Sequence, residues 1–458
     1  MLVRSPLAVA GAVLVFGGAA HAVPAGGPGF LVPLRANAPS GSPRTLSATA
    51  TAADAADPLV PSEWWRRDVH VDSLTPPAAG VPITIVDSGI SFNHPEFAGR
   101  PDLVALNNQE PAPLGGVHGT ATASVAGAAV NGVGLVGIYP TAVLRSYDAS
   151  LGDGTRLPAD EIAAGIVAAA QAGRSVINLS LGSNRRDPAI ESAIAQAVRS
   201  GSLVVAASGN SGDEGNWLSY PGASAHVLTV GGTDQSDAVA SFSTRSDWVD
   251  IAAPGVDIPV ASALDNGFQV ESGTSFSAPM VAGAAAWLWT VRPELDASQV
   301  AEILKTSARD VAAPGFDSGS GYGILDMTAA LAAPTPQADN LEPNDAAADA
   351  VTVTTAGRSS TTTRGRVAAF EDPQDVLRVW LPKGRRLTVK TSSAGVTFAL
   401  YRSSIAASQR VARSTRAQGA TSLSFRNPGA ARSAYLVVSP AGGVRDSAYS
   451  LAIAAKSP

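Results

Sequence analysis

The feature that most constrains the fold is a repeated succession of short apolar runs and helix-length segments between Pro82 and about Ala308. Pro82 to Val86 is a β-branched run that ends at Asp87. Asp160 to Ala172 reads as a helix closed by Gly173, and the strand Val176 to Leu181 follows. Pro188 to Arg199 is a second helix, with Pro at its start and Gly201 just past its end, the asymmetry expected of helix termini. Leu203 to Ala207 is another strand, and Asp296 opens a helix running to about Ala308. Repetition of this kind implies an α/β fold, a parallel sheet with helices on both faces.

Beyond residue 345 the pattern changes. Val376 to Leu381, Leu387 to Lys390, Val396 to Tyr401, Leu423 to Phe425, Leu436 to Val438 and Tyr449 to Ile453 are short runs with no helical period between them. Turn signals such as Pro382-Lys383-Gly384 and Asn427-Pro428-Gly429 separate them. That predicts a small all-β sandwich. The expected division is a signal peptide at 1–22, a flexible lead-in or short pro-segment at 23–57, an α/β domain at 58–333, a linker at 334–345 and the sandwich at 346–458.

Residues 1–22 have the parts of a secretory signal. Arg4 supplies the positive region, Leu7 to Ala20 the apolar stretch, and Ala20-His21-Ala22 a small-x-small cleavage site. The apolar stretch is too short to span a bilayer, and Met280 to Val291 is shorter still. The expectation is a secreted, extracellular protein without a membrane span. The chain has no cysteine, so disulfides, thiolate metal sites and a cysteine nucleophile are excluded. A formal charge of −6 argues against nucleic acid as a partner.

In open α/β sheets, ligands sit beyond the carboxyl ends of the strands. Asp87, the Ser180–Gly182 stretch and Ser208-Gly209-Asn210 all fall there. Two helix starts, at His118 and Ser275, belong to the same edge. A carboxylate, an imidazole and a hydroxyl therefore converge. A serine hydroxyl becomes a nucleophile only when a base takes its proton, and a carboxylate must then fix the imidazole tautomer. In SGTSFSAP, Gly273 permits close backbone approach. Pro279 has no N–H to return to the carbonyl of Ser275, so the first turn is irregular. Ser275 also sits at the positive end of the helix dipole.

These residues resemble a known family. IVDSGI around Asp87, HGTATASVAG around His118, ASGN ending at Asn210 and SGTSFSAP around Ser275 are similar to the subtilisin-like serine peptidases, in subtilisin's own order Asp, His, Ser. The resemblance covers about 58 to 333. It implies that Asp87 orients His118, that His118 is the general base and acid, and that Ser275 is acylated. It also selects Ser275 over Ser277, which the chemistry alone leaves open. Asn210 would donate its side-chain amide to the oxyanion beside the backbone N–H of Ser275. Substrate-pocket walls map to Ser180, Leu181, Gly182 and to Ala206, Ala207, Ser208, implying an open slot for an apolar P1 side chain.

The chain departs from the family pattern in three places. HGTAT lacks the second histidine, and AVNGVGLVG at 129–137 is short where many relatives carry a calcium loop. No metal site is assigned, and a structural calcium elsewhere is left without a location. The 23–57 segment has no room for the usual inhibitory propeptide. The tail, with LEPNDAAADA and DPQDVLRVWLPKGRRLTVK, resembles the pre-peptidase C-terminal domain, implying substrate or surface binding, or stabilisation.

His94 is the rival base and is expected to be structural, since it lacks a helix-start context. His70 and His226 are expected to be solvated or locally bonded, Asp153 and the Asp213-Glu214 pair to be surface charge, and Trp287 and Trp289 to be packing. Two function classes remain: a secreted serine endopeptidase acting on proteins or peptides, broad or processing, and a binding protein on a silent peptidase fold. The intact set Asp87, His118, Asn210 and Ser275 favours the first.

Overall fold

The computed structural model describes residues 30–33, 45–46, 57–108, 117–150, 157–339, 341–353 and 360–456. The signal segment and Asp153 lie outside them. Seven parallel strands form the central sheet, in the order Ile251–Pro254, Val227–Thr233, Leu203–Ala207, Val176–Leu179, Ile83–Asp87, Leu144–Asp148, Leu103–Ala105. The strands Val227–Thr233, Leu203–Ala207, Val176–Leu179 and Ile83–Asp87 are buried along their whole length, as expected of a sheet covered on both faces.

Strand alternation divides the core in two. Ile83, Ile85, Val205 and Ala207 face a cluster shared with helices Val117–Gly127 and Thr274–Val291. Val86, Val204 and Ala206 face the opposite cluster, under helices Ala159–Gln171 and Pro188–Arg199. Helix Pro188–Arg199 buries Ile190, Ala193, Ile194 and Ala197, one helical stripe, and Asp187 caps its first amides. The helix opened by Asp296 spans Ala297–Thr306 and carries a full capping box with Gln299.

Helix Thr274–Val291 differs. It is buried from Thr274 through Trp289, including Trp287 and Trp289, because elements pack around its full circumference. Gly283 brings it against the neighbouring helix, since a Cβ there would lie 2.9 Å from the Ala126 carbonyl oxygen.

The C-terminal region forms two five-stranded sheets. One contains Val351–Val353, Asp375–Leu381, Arg432–Pro440, Val396–Tyr401 and Arg410–Arg413; the other contains Thr361–Ala368, Asp446–Lys456, Arg386–Thr391, Ala420–Arg426 and Thr415–Ala417. Residues of both sheets share one apolar core, including Leu377, Phe398, Leu436, Val389 and Leu451. The expected all-β unit is thus present. Thr361–Ala368, which sequence reasoning did not find, is polar and exists as a strand through eight pairings with Asp446–Ile453.

The sandwich rests on the α/β unit. Lys305 Nζ meets Glu371 Oε2 at 2.8 Å, Arg366 meets Glu302 at 2.5 Å, and the Arg445 guanidinium lies 3.4 Å from the Phe316 ring centroid.

Candidate active site

Asp87 is the last residue of strand Ile83–Asp87, and His118 is the second residue of helix Val117–Gly127. Both are fully buried, at 0% and 1% exposure. His118 Nδ1 lies 2.8 Å from Asp87 Oδ2 and 2.9 Å from Oδ1. Gly119 makes this approach feasible, because a Cβ there would fall 2.1 Å from the Gly89 carbonyl oxygen and 3.2 Å from Asp87 Cβ. Asp87 Oδ1 also accepts the Ser88 N–H at 2.7 Å, and Ser88 Oγ accepts the Gly119 N–H at 3.1 Å. Carboxylate and imidazole are thereby fixed relative to each other. His118 Nε2 is buried without a hydrogen-bond partner. A buried ring with one nitrogen held by a carboxylate and the other unpaired is equipped to accept a proton.

Ser275 is the second residue of helix Thr274–Val291. Gly273, before it, has φ 151° and ψ 155°, a conformation essentially restricted to glycine. No side chain of the N-cap residue bonds this helix start. Instead, Asn210 Oδ1 accepts from the Thr274 N–H at 3.0 Å and from Thr274 Oγ1 at 2.8 Å. A backbone N–H can only donate, so the amide oxygen faces Thr274 and Nδ2 faces away. That Nδ2 is buried without a partner.

Pro279 leaves the Ser275 carbonyl without its helical donor, and Ser180 Oγ supplies one at 2.8 Å. In return Ser275 Oγ donates to the Ser180 carbonyl at 3.0 Å. Asn178 Nδ2 donates to Ser180 Oγ at 3.0 Å. The sequence marks Ser180 only as an expected pocket wall and gives no signal of a role for Thr274 or Asn178. A proline four residues after Ser275 was the available signal for a foreign donor.

The other residues expected as pocket walls lie on or just beyond the strands Leu181–Gly182 and Leu203–Ala207. Leu181 and Ala206 turn their side chains into one core cluster and Ala207 into the other. Ser208 is buried, and its Oγ has no partner. Strand Phe30–Pro33 runs between two edges: Phe30 and Leu31 pair with Pro158 and Leu157, and Val32 and Pro33 pair with Gly182 and Leu181. A piece of the chain itself thus lies extended beside the residue that bonds Ser275.

His94 stands apart from this cluster. It is buried, with Nε2 2.9 Å from the Gly267 carbonyl and Nδ1 accepting the Glu96 N–H at 3.1 Å. Burial holds its pKa below the ordinary value. His70 is bonded to Asp326 at 2.9 Å, His226 to Asp345 at 2.7 Å, and Asp213 and Glu214 are exposed.

In the 129–137 loop, Asp57 Oδ1 accepts the N–H groups of Asn131, Gly132 and Val133, each at 3.1 Å. Glu96 accepts from Leu135 and Glu63 from Val136. The loop turns amide donors, not carbonyl oxygens, toward these carboxylates, which does not suit a cation.

The sequence profile of the Subtilase family matches residues 78–323, more than half of the 458. The chain belongs to the subtilase family. By family it is a serine endopeptidase. It is 35% identical to subtilisin BL of Lederbergia lenta over 261 residues, covering 57% of this chain and 93% of that one. It is 39% identical over 223 residues to the thermophilic serine proteinase of Bacillus sp. (strain AK1), covering 47% of this chain. The chain spans about half, 53%, of that protein's length. Fervidolysin from Fervidobacterium pennivorans shares the fold, with a TM-score of 0.58 at 19% identity over 89% of this chain and 81% of its own. Among the described residues, no helix of this subtilase is long and apolar enough to cross a membrane.

Proposed function

We propose that this subtilase is a secreted endopeptidase that cleaves proteins through an acyl-enzyme on Ser275. The Ser275 hydroxyl turns from the Ser180 carbonyl to His118 Nε2, which takes its proton as oxygen attacks the scissile carbonyl. Asp87 holds the imidazole tautomer and stabilises the imidazolium. Asn210 Nδ2 and the Ser275 N–H stabilise the oxyanion. His118 then protonates the leaving amine. Water, deprotonated by His118, attacks the ester and restores the enzyme.

The observation that carries this reading is the Asp87–His118 contact at 2.8 Å beside an unpartnered His118 Nε2. The partnerless Asn210 Nδ2 supports the oxyanion role. The extended pairing of Phe30–Pro33 supports substrate binding as an added strand. The same segment covers the groove until it is displaced or cut. Leu181, Ala206 and Ala207 turn into the core, and the remaining walls, Ser180, Gly182 and Ser208, carry no charge, which supports an apolar P1 preference. A P1 scan favouring Lys or Arg would remove that preference. Export is supported by the Arg4, Leu7–Ala20, Ala20-His21-Ala22 sequence. The C-terminal sandwich serves substrate or surface binding, or stabilises the peptidase unit it is ion-paired to.

The test is labelling of the mature protein with a fluorophosphonate probe beside Ser275→Ala, with casein as substrate. Labelling that requires Ser275, together with casein cleavage, supports a broad endopeptidase. Labelling without casein cleavage points to a processing enzyme. Folded protein that does not label refutes the catalytic assignment and favours a binding protein.

A further inference from the structure

From Val376 through Arg445 the sequence carries twelve Lys and Arg residues and no Asp or Glu, in a chain whose formal net charge is −6. Protein surfaces ordinarily intersperse both signs, and a single-sign field is kept where it draws a partner. The sandwich decides where these cations stand.

Side chains of a strand alternate between faces, so the buried Leu387, Val389 and Leu423 turn inward while Arg386, Lys390 and Arg426 turn to solvent. Arg386 stands directly opposite Arg426 in the antiparallel register. Like charges so placed destabilise a sheet. No acid relieves them. Arg386 Nη1 donates to Ser424 Oγ at 3.0 Å and Arg426 Nε to the Gly384 carbonyl at 3.4 Å, both neutral acceptors. The only acid in the five strands of this sheet, Asp446, lies at the opposite end, where Arg366 holds it at 2.8 Å. Lys390 follows about 13 Å farther along its strand. Ala452 pairs with both Lys390 and Thr362, so the exposed Arg364 continues the line on the same face. Between the cations stand hydroxyls: Ser424 opposite Thr388, and Ser422 opposite Lys390.

The end of the sandwich away from Glu371 and Arg445 extends this field. Lys383 and Arg385 lie in the turn between Asp375–Leu381 and Arg386–Thr391, Arg432 begins strand Arg432–Pro440, and all three are exposed. Asn427, only 3% exposed, fixes the two loops that carry them. It accepts the Gly384 N–H and donates its own N–H to the Arg385 carbonyl, each at 3.0 Å. Its Nδ2 donates to the carbonyls of Leu381 at 3.1 Å and Ala430 at 2.9 Å. The cations are therefore set on a rigid frame and need little ordering to engage a partner.

We propose that this face, from Lys383 and Arg432 through Arg386 and Arg426 to Lys390 and Arg364, docks the protein on an acidic polysaccharide, a carboxylated or sulfated chain. Arginine forks match such oxyanions, and the Ser and Thr hydroxyls between them match sugar hydroxyls. A membrane fits less well, because the face offers nothing apolar to insert. Trp380, the one exposed large apolar side chain of the sandwich among the described residues, is on the other sheet. Single-stranded nucleic acid fits less well too, because the outward residues of this face include no aromatic ring for bases to stack on. The proposal gives a chemical class to the surface-binding role of the sandwich and rests on that reading, not on catalysis at Ser275.

The test uses the full chain carrying Ser275→Ala, which prevents self-digestion. Binding is measured to immobilised heparin and polygalacturonate, with uncharged dextran, phosphatidylglycerol-containing vesicles and duplex DNA beside them. Arg386→Gln/Arg426→Gln is compared with Arg410→Gln/Arg413→Gln, which removes the same charge from the other sheet. The expected result is binding to heparin or polygalacturonate, but not dextran, that weakens as salt rises. Arg386→Gln/Arg426→Gln should lose roughly tenfold or more of it, and the other pair less than about twofold. The Tm of Arg386→Gln/Arg426→Gln should stay at or above the parent's, because two facing like charges are gone. Arg364→Gln/Lys390→Gln, on the same face, should weaken binding as well and reads the site if the first pair fails to fold. Equal losses on both sheets would overturn the proposal, since net charge alone would then explain binding. Tighter binding to vesicles or to DNA would overturn it in favour of that partner. No binding to any probe at about 1 mM would overturn it and leave the sandwich its stabilising role, with cleavage at Ser275 untouched.

Discussion

Ser180 and Ser275 are hydrogen-bonded to each other twice, each hydroxyl donating to the other's backbone carbonyl, at 2.8 and 3.0 Å. One bond replaces the helical N–H that Pro279 lacks; the other holds the Ser275 hydroxyl. Ser180→Ala should therefore destabilise the protein by about 1–3 kcal/mol, the cost of an unsatisfied buried group. Pro279→Ala returns an N–H to the Ser275 carbonyl. In a urea double-mutant cycle, the loss from Ser180→Ala should be smaller in the Pro279→Ala background. Additive losses would mean that the two residues do not share that carbonyl.

Ser275→Ala and His118→Ala should each abolish turnover to a similar degree, and the double variant should be little worse. In subtilisin such single losses amount to roughly 10⁶-fold in kcat, and loss of the aspartate to roughly 10⁴-fold. Asp87→Asn is expected on that second scale. Single-turnover hydrolysis of a p-nitroanilide peptide provides the measurement. Independent, multiplicative losses would show that the three do not act as one unit.

Asn210→Ala should lower kcat by about 10²–10³-fold with little change in KM, the scale known for this donor in subtilisin. Thr274→Ser keeps both donors to Asn210 Oδ1, whereas Thr274→Val removes the hydroxyl donor. A loss of kcat in Thr274→Val that Thr274→Ser does not show would identify Thr274 as a positioning residue. A loss in Thr274→Ser alone, which lacks the methyl that Thr274→Val keeps, would point to packing of the methyl group instead.

Burial lifts the Glu63 carboxyl to about 8 and that of Glu96 to about 9, from an ordinary 4.5. Between those values the folded state holds protons that the unfolded chain has lost, so stability falls as pH rises from about 4.5 to about 9. Tm should be lower at pH 9 than at pH 5. Glu63→Gln and Glu96→Gln keep the acceptor oxygen for Val136 and Leu135 while removing the charge. Each should flatten this dependence and raise Tm at pH 9, by about 2–4 °C for each kcal/mol recovered. A slope unchanged in both variants would assign the pH effect to other carboxylates.

Strand Phe30–Pro33 covers the edge formed by Leu181–Gly182. Added to enzyme lacking residues 1–57, an acetylated Phe-Leu-Val-Pro peptide should raise KM and leave kcat unchanged. A Kd on the order of 1 mM, about 4 kcal/mol of binding, suits so short a strand. Inhibition that lowers kcat alone would place the peptide outside the substrate groove.

The sequence alone determined the local features that are written in short windows. Helix Pro188–Arg199 and strand Leu203–Ala207 were legible to the residue, because proline, glycine and an apolar stripe mark their ends. The motifs around Asp87, His118, Asn210 and Ser275 were legible for the same reason. Strands Val227–Thr233 and Thr361–Ala368 were not, because their composition is glycine-rich or polar and only partners far along the chain make them strands. Tertiary structure also decided what each polar atom faces. Pro279 showed that the Ser275 carbonyl needed a donor, but not that Ser180, 95 residues away, would provide it. Asp339 lies in the expected linker and Asp375 in the tail motif DPQDVLRV, and only the fold gathers their carboxylates within 4.8 Å. Propensity acts between neighbours in the chain, whereas burial, hydrogen-bond satisfaction and charge act between neighbours in space.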